Sequence, residues 1–352
     1  MRNARRWIGA AAVPVMVLGG GVLLAGTATA LPVTGSVVEA AGIDSPLTFE
    51  ADGTVFHGSL RTPDGATAGA ALLLPGSGPT DRNGNQPGAA SGTLTRTADV
   101  LAAHGITSYR FDKIGSGETG LGAYTLETVG EYGFTEQVDH AEAAARALAD
   151  RTGIPTDEIL VVGHSEGALT ALALADRGIG NGFALLQPLP MRYLDLLTAQ
   201  ITAVADSGQL GADGDAVRAG LPRTVESLRT TGTVPADQHP LLAQLGLNPA
   251  NAKFLAEADA FDPPVLAAQL ATGTPVLLTC SDKDTNVSCA QVEPLRSALA
   301  HTDLQFEHFA TANHGLEELG PLPPGPADLV ALLPVSGEFV AAMDGWAAAR
   351  GR

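Results

Sequence analysis

The chain has 352 residues, of which 45% are hydrophobic, with 42 glycines, 23 prolines and a formal net charge of −18. This hydrophobic fraction excludes bulk disorder, and the frequent glycines and prolines argue against a helical bundle. The acidic charge and the lack of a basic stripe exclude a nucleic-acid partner, because contacts to phosphate dominate that kind of binding. We therefore expect a folded protein with an acidic surface.

Residues 1–30 have the pattern of a secretory signal peptide. Three arginines precede an apolar segment from Trp7 to Gly26, and Ala28-Thr29-Ala30 matches a cleavage site. An uncleaved membrane anchor is the alternative, because the apolar run approaches the ~20 residues needed to span a bilayer. Pro14 and three consecutive glycines weaken a lasting helix. We expect cleavage, no stable membrane insertion, and a secreted or cell-envelope location.

Residues 31–46 have the composition of a linker, and short strand-like and helix-like segments alternate from residue 47 onward. This alternation predicts a mostly parallel central sheet with helices on both faces, whose first part spans residues 47–187. An antiparallel pair is expected within Leu47–Leu60. The elements expected after it are strand Ala70–Leu74, helix Leu94–Ala103, strand Thr107–Phe111, helix Phe134–Ala149, strand Ile159–Val162, helix Gly167–Ala175 and strand Phe183–Leu186.

Residues 188–272 break this alternation with several helical stretches separated by turns. We interpret this segment as a helical cap, or lid, inserted into the sheet domain. Residues 273–352 then complete the core. Their expected elements are strand Pro275–Leu278, helix Val292–Leu299, strand Leu304–Phe309 and helix Gly337–Ala349.

A candidate nucleophile lies where the strongest predicted strand meets a helix, in Gly163-His164-Ser165-Glu166-Gly167. A G-x-S-x-G motif between a strand and a helix is typical of a nucleophile elbow, in which the serine has a strained backbone. Gly163 and Gly167 would allow the close packing of that turn. The alternative is that these residues form a tight turn between strand and helix and have no catalytic role.

A serine hydroxyl is a weak nucleophile, so it needs a base and a group that orients the base. In folds with such an elbow both residues follow the serine in the chain, first the acid and then the histidine. His314 follows the last predicted strand in a loop and is the candidate base, because His301 ends a helix and His308 lies within a strand. The loop after strand Pro275–Leu278 offers two acids, Asp282 and Asp284. We favour Asp284, and Asp282 remains the alternative.

The oxyanion of an acyl-transfer intermediate needs two N–H donors. We predict the backbone N–H of Glu166, directly after the nucleophile, and that of Ser77, which lies between Gly76 and Gly78. The Glu166 side chain is expected at the rim of the site. Glycines beside Ser77 would let the backbone approach the substrate oxygen closely, although they could also form an ordinary turn.

Two cysteines, Cys280 and Cys289, bracket the candidate acid loop. In an exported chain they are expected to form a disulfide contributing about 2–3 kcal/mol, with two unpaired thiols as the alternative. Within this stretch Asp282, Asp284, Asn286 and Glu293 have the spacing of a calcium-binding loop. Val287 stands where that loop needs glycine, so we expect no bound metal.

These motifs together resemble the α/β-hydrolase superfamily over roughly residues 47–350. The stretch Pro75–Asn85 is similar to that of its bacterial carboxylesterase branch, and Phe111–Gly117 to the loop after the fourth strand. The resemblance implies a serine carboxylesterase with a helical cap, no metal and no cofactor. The sequence departs from the pattern at Asn83, Ile114 and Ser281, and Ser281 leaves the register of the acid loop open.

The residues thus predict an exported serine hydrolase that cleaves small-molecule carboxylic or thio esters through an acyl-enzyme on Ser165. We expect a mainly apolar acyl site. An acyltransferase or a peptidase would carry the same motifs, and a non-catalytic binding protein on the same fold is a third alternative. Neither the natural substrate nor the oligomeric state follows from the sequence.

Overall fold

The computed structural model describes residues 41–325, 328 and 331–351. The predicted signal peptide and residues 31–40 of the predicted linker lie outside this part of the chain. Among the described residues no helix combines the length and apolarity needed to cross a membrane.

Eight strands form one sheet in the order β1-β2-β4-β3-β5-β6-β7-β8. The first two strands are an antiparallel hairpin, β2 pairs antiparallel with β4, and every later pairing is parallel. The mostly parallel sheet predicted from the sequence is therefore confirmed. The strands are β1 Ile43–Ala51, β2 Thr54–Thr62, β3 Gly69–Leu74, β4 Ile106–Phe111, β5 Leu160–His164, β6 Gly182–Leu186, β7 Pro275–Ser281 and β8 Asp303–Phe309.

Helices follow the strands in the alternation that the sequence predicts. Their bounds are α1 Thr93–Ala103, α2 Phe134–Thr152, α3 Glu166–Asp176, α4 Tyr193–Asp206, α5 Gly214–Thr231, α6 Pro240–Gln244, α7 Ala252–Ala260, α8 Pro263–Ala267, α9 Cys289–Ala298 and α10 Gly337–Ala348. Five of these, α4 to α8, lie between β6 and β7 in the stretch predicted as a cap.

Side chains of the buried strands alternate between the two faces of the sheet, as the period of two in a strand requires. In β3, Leu72 and Leu74 join the core on one face, which also contains residues of α2, α3 and the inserted helices. Ala71 and Leu73 join the core on the opposite face, under α1 and α10. The sheet is thus covered on both sides, and the inserted helices share the first core.

The first strand begins earlier than predicted. Ile43 pairs with Thr62 at the end of β2, so the residues from Ile43 to Pro46 belong to the sheet. The predicted linker of residues 31–46 is therefore too long at its C-terminal end. The edge strand is largely exposed and contains several polar residues, so its hydrophobic periodicity is weak. For that reason the sequence pattern did not identify residues 43–46 as part of a strand.

Asp259 in α7 holds the inserted helices together above the sheet. Its buried carboxylate accepts hydrogen bonds from Arg192 Nη2 at 2.6 Å and from the backbone N–H of Leu194 at 2.8 Å, at the start of α4. Arg229 of α5 donates to the same carboxylate at 2.9 Å. This anchor fixes the first turn of α4, and with it the position of Tyr193.

Candidate active site

Ser165 occupies the sharp turn between β5 and α3. Its φ of 55° and ψ of −119° lie in a region that non-glycine residues rarely adopt, at a cost of about 1–3 kcal/mol. Backbone hydrogen bonds hold it there: Ser165 N–H donates to Leu186 O at 2.9 Å, and Leu189 N–H donates to Ser165 O at 3.1 Å. The end of β6 therefore maintains the strained turn.

The two flanking glycines are sterically required. A Cβ on Gly163 would lie 2.2 Å from Gly167 O, and a Cβ on Gly167 would lie 2.2 Å from Leu74 O. Because both obstacles are backbone atoms, no side chain can be accommodated at either position without moving a strand. The close packing of β3, β5 and α3 that exposes Ser165 depends on these glycines.

His314 and Asp284 form a direct, buried hydrogen bond, with 2.7 Å between Nδ1 and Oδ2. The other carboxylate oxygen of Asp284 accepts from the backbone N–H of Asn286 at 2.7 Å and of Val287 at 2.9 Å. The carboxylate only accepts, so His314 carries its proton on Nδ1 and leaves Nε2 as an acceptor. This is the tautomer that a general base needs.

Asp282, the alternative acid, lies elsewhere. Its Oδ1 is 2.7 Å from His308 Nε2, and both side chains are about half exposed. It therefore forms a surface pair on the outer side of the loop, and of the two candidate acids it is Asp284 that the structure brings to His314.

His164 contacts His314 and holds its backbone in place. Its Nε2–H donates to the backbone oxygen of His314 at 2.8 Å, and the two rings are 5.0 Å apart. Burial lowers the pKa of His164 to about 4, and the neighbouring His314 contributes to this shift. His164 is therefore neutral near pH 7 and adds no positive charge beside the candidate base. The motif around Ser165 gave no indication of this role for His164.

Among the described residues Ser165 Oγ makes no hydrogen bond to His314. The serine nevertheless directly follows His164, which contacts His314 through both its ring and its hydrogen bond. Catalytic hydrogen bonds of this kind often tighten only when substrate binds.

The predicted oxyanion loop passes directly over the serine. A Cβ on Gly76 would lie 3.3 Å from Ser165 Cβ and 3.4 Å from His164 Nδ1. Lys113 Nζ donates to Gly76 O at 2.6 Å. Because a trans peptide points its carbonyl and the following N–H in opposite directions, this bond turns the N–H of Ser77 away from Lys113. Ser77 lines the same cavity as Ser165 and Glu166.

Glu166, the first residue of α3, has a backbone N–H with no acceptor inside the helix. Its side chain differs from our prediction: the carboxylate is buried and not at the rim. It accepts from Lys113 Nζ at 3.1 Å, Gln137 Nε2 at 3.0 Å and the Tyr193 hydroxyl at 2.8 Å. Burial, together with Glu166, raises the pKa of Tyr193, so the phenol stays protonated and donates.

This network explains why the rim prediction was wrong. The side chain of Glu166 points to the inner side of α3, where α2 and the inserted α4 cover it. One indication of the contact between Lys113 and Glu166 was present in the sequence, because each residue follows a buried strand and these strands end at the same edge of the sheet. Tyr193 lies in the cap, and no local sequence pattern predicted its hydrogen bond to Glu166.

A cavity of about 30 Å³ adjoins the serine. It is lined by Ser77, Ser165, Glu166, Leu189, Tyr193, Leu196, Leu197, Gln200, Asn286 and Val287. The wall therefore contains Leu196, Leu197 and the polar Gln200 from α4, together with Asn286 from the acid loop. The expectation of a mainly apolar acyl site omitted Gln200 and Asn286.

Cys280 and Cys289 form the predicted disulfide, with an S–S distance of 2.04 Å and Cα atoms 5.2 Å apart. The bond joins the end of β7 to the first residue of α9 and closes the loop that carries Asp284. The acid loop is thus covalently tied at both ends.

No family model matches the chain. No curated protein matches it in sequence. Many solved structures are similar in fold, and three of them illustrate the likeness. Proline iminopeptidase of Mycobacterium smegmatis has a TM-score of 0.54 and 16% identity over 87% of this chain and 99% of that chain. An esterase of Pyrococcus furiosus has a TM-score of 0.52 and 16% identity over 78% and 84%.

Est1E from Butyrivibrio proteoclasticus, solved with ferulic acid bound, has a TM-score of 0.51 and 14% identity over 86% of this chain and 98% of that chain. At such identities the likeness establishes the fold and nothing finer. The chain has the α/β-hydrolase fold with helices inserted between β6 and β7, and the predicted fold class is confirmed.

Proposed function

We propose that this protein is a serine hydrolase that cleaves carboxylic or thio esters through an acyl-enzyme on Ser165. The observation that carries the proposal is the buried His314–Asp284 hydrogen bond beside a serine held in a strained strand-to-helix turn. A turn that costs free energy persists where its surroundings enforce it, and such turns cluster at active sites.

In the proposed reaction Ser165 Oγ attacks the ester carbonyl carbon while its proton passes to His314 Nε2. The N–H groups of Glu166 and Ser77 donate to the oxyanion. His314 then gives the proton to the departing alcohol or thiol as the bond to the acyl carbon breaks. Water attacks the acyl-enzyme, its proton passes to His314, and the carboxylic acid leaves as Ser165 regains a proton.

Asp284 holds the imidazole in the required tautomer and stabilises the imidazolium that forms. His164 fixes the backbone of His314 through its hydrogen bond to the His314 carbonyl. Lys113 fixes the carbonyl of Gly76, and hence the direction of the Ser77 N–H. Each of these three residues acts through a group that would touch the substrate or the reacting proton.

We further propose that the protein is exported and that residues 1–30 are removed. The charge and hydrophobic pattern of these residues supports export. The Cys280–Cys289 disulfide fits an oxidising compartment. Mass spectrometry of the protein recovered from outside the cytoplasm would test this, and an intact N-terminus would contradict cleavage.

Labelling with a fluorophosphonate probe tests the nucleophile directly. The purified protein should be labelled at Ser165, with the adduct located by mass spectrometry, and Ser165→Ala should remain unlabelled. A matched Ser288→Ala variant, changed in the exposed N-cap of α9, should label like the parent. Labelling at another residue, or none in folded protein, would contradict the proposal.

The ester specificity needs a second assay, because one structural neighbour is a proline iminopeptidase. Esters, thioesters and amides of the same acyl group should be compared in water and with an added alcohol acceptor. Release of free acid from esters is expected. Faster cleavage of the amide would favour a peptidase, and transfer to the alcohol exceeding hydrolysis would favour an acyltransferase.

A further inference from the structure

The side chain of Asn286 is a buried amide at the wall of the cavity. The residue is 7% exposed, and its Nδ2 group has no hydrogen-bond partner among the described residues. Leaving a buried donor unsatisfied costs about 1–3 kcal/mol, and such groups are usually paired. Since Asn286 lines the cavity next to Ser165, a ligand in that cavity is the natural source of an acceptor.

The backbone of Asn286 is fixed on two sides. Its N–H donates to Asp284 Oδ1 at 2.7 Å, and its carbonyl accepts from Gln200 Nε2 of α4 at 2.9 Å. The candidate acid and the cap therefore both determine where the amide lies. A group held in this way is preorganised, so a ligand that meets it loses little free energy in ordering it.

Gln200 contributes a complementary group to the same wall. Its Nε2 group donates to Asn286 O. Its Oε1 is then an acceptor with no hydrogen bond in the described part of the chain. The neighbouring wall residues Leu196, Leu197 and Val287 are apolar. One donor and one acceptor thus stand in an otherwise apolar part of the cavity.

We propose that Asn286 and Gln200 form a polar subsite that binds a hydroxyl group on the acyl part of the ester. A hydroxyl oxygen accepts from Asn286 Nδ2 while its hydrogen is donated to Gln200 Oε1, which satisfies both amides. The substrate class is then hydroxyacyl esters. This inference rests on the proposed function, because it concerns the substrate of Ser165.

Isosteric ester pairs test the subsite. In ethyl 3-hydroxybutanoate and ethyl 3-methylbutanoate, and in ethyl lactate and ethyl 2-methylpropanoate, a hydroxyl replaces a methyl of similar size. We expect kcat/KM to favour the hydroxy ester by about tenfold or more in at least one pair, because unmet amides would face the methyl group. Acid release is followed in a pH-stat with the full chain.

Asn286→Leu, which keeps the size of the side chain, should reduce that ratio at least tenfold. Gln200→Leu should also reduce the ratio, and it provides the test if Asn286→Leu does not fold. Asn181→Leu makes the same chemical change at an exposed site distant from the cavity and should leave the ratio unchanged. A ratio of one or less in the parent, or a ratio that both cavity variants retain, would overturn the subsite.

Fluorophosphonate labelling of every variant separates the two proposals. Labelling at Ser165 together with turnover but no hydroxyl preference overturns the subsite and leaves the serine hydrolase standing. Labelling without turnover of any of the four esters also overturns this substrate class. Absence of both labelling and turnover overturns the proposed function, and the subsite with it.

Discussion

Asp284 Oδ2 lies 2.7 Å from His314 Nδ1, whereas Asp282, two positions earlier, pairs with His308 on the surface. Asp284→Asn should therefore lower kcat by about 10³–10⁴-fold, because an amide cannot hold the imidazole in the working tautomer. The measurement is steady-state ester hydrolysis in protein of unchanged circular dichroism.

Asp282→Asn is the matched control for that experiment. It removes an exposed pair that contributes about 0–1 kcal/mol, so kcat should stay within about twofold of the parent. If Asp282→Asn loses activity and Asp284→Asn keeps it, the assignment of the acid is reversed.

Lys113 links the oxyanion loop to Glu166, and its loss should affect stability and rate separately. Lys113→Met leaves the buried Glu166 carboxylate without its cation, which should cost about 3–5 kcal/mol of unfolding free energy. It also releases Gly76 O, so kcat should fall about 10–100-fold with little change in KM. Urea unfolding and steady-state kinetics measure the two effects.

The double variant Lys113→Met with Glu166→Gln tests whether the kinetic effect is merely a stability effect. Removing both charges should recover part of the unfolding free energy, because no isolated charge remains buried. The kcat should stay low, since Gly76 O still lacks its donor. Full recovery of kcat in the double variant would contradict a positioning role for Lys113.

The disulfide should contribute measurably to stability. Replacing Cys280 and Cys289 together by serine should lower the unfolding free energy by about 2–3 kcal/mol, because a short closed loop restricts the unfolded chain. Urea titrations of the variant and of the reduced parent should agree with each other, and both should lie below the parent with its disulfide intact. A change below about 1 kcal/mol would show that the acid loop holds its conformation without the bond.

Glu317 should make stability depend on pH. Burial raises its pKa to about 7, although Asn313 and Arg96, whose Nη1 lies 3.8 Å away, act in the opposite direction. The unfolded carboxyl titrates near 4.3. Between these values the folded state binds more protons than the unfolded state, so stability should fall as pH rises from about 4.5 to about 7.

Glu317→Gln should remove this dependence. The variant should be more stable than the parent at pH 8 by up to about 3 kcal/mol, a difference that already includes the effect of Arg96 on the Glu317 pKa. At pH 5 the two proteins should be nearly equal. Urea unfolding from pH 5 to pH 8.5 measures the difference, and parallel curves for the two proteins would contradict the prediction.

Local sequence patterns predicted much of the fold because strand and helix periods are local properties. The continuous apolar run Ala70–Leu74 and the glycine-flanked Ser165 each appear where the pattern placed them. The start of β1 at Ile43 was missed because an exposed edge strand has no continuous apolar run. Hydrophobic periodicity reports burial, and it is weakest where burial is partial.

The site was harder to predict, because its remaining parts come from distant elements. Asp282 and Asp284 share one loop, and only the folded loop separates the side facing His314 from the side facing solvent. Glu166 is buried by Lys113 and by Tyr193, which lie 53 and 27 positions away. No local pattern encodes such contacts.

Helix α4 touches the site at its first turn and near its middle. Tyr193 in its first turn donates to Glu166 beside the serine, and Gln200 further along donates to the acid loop at Asn286. Both Tyr193 and Gln200 also line the cavity that adjoins Ser165. A displacement of α4 away from the serine would break both hydrogen bonds. A ligand that stabilises α4 in this position therefore also stabilises the serine turn and the acid loop, although it need not touch either.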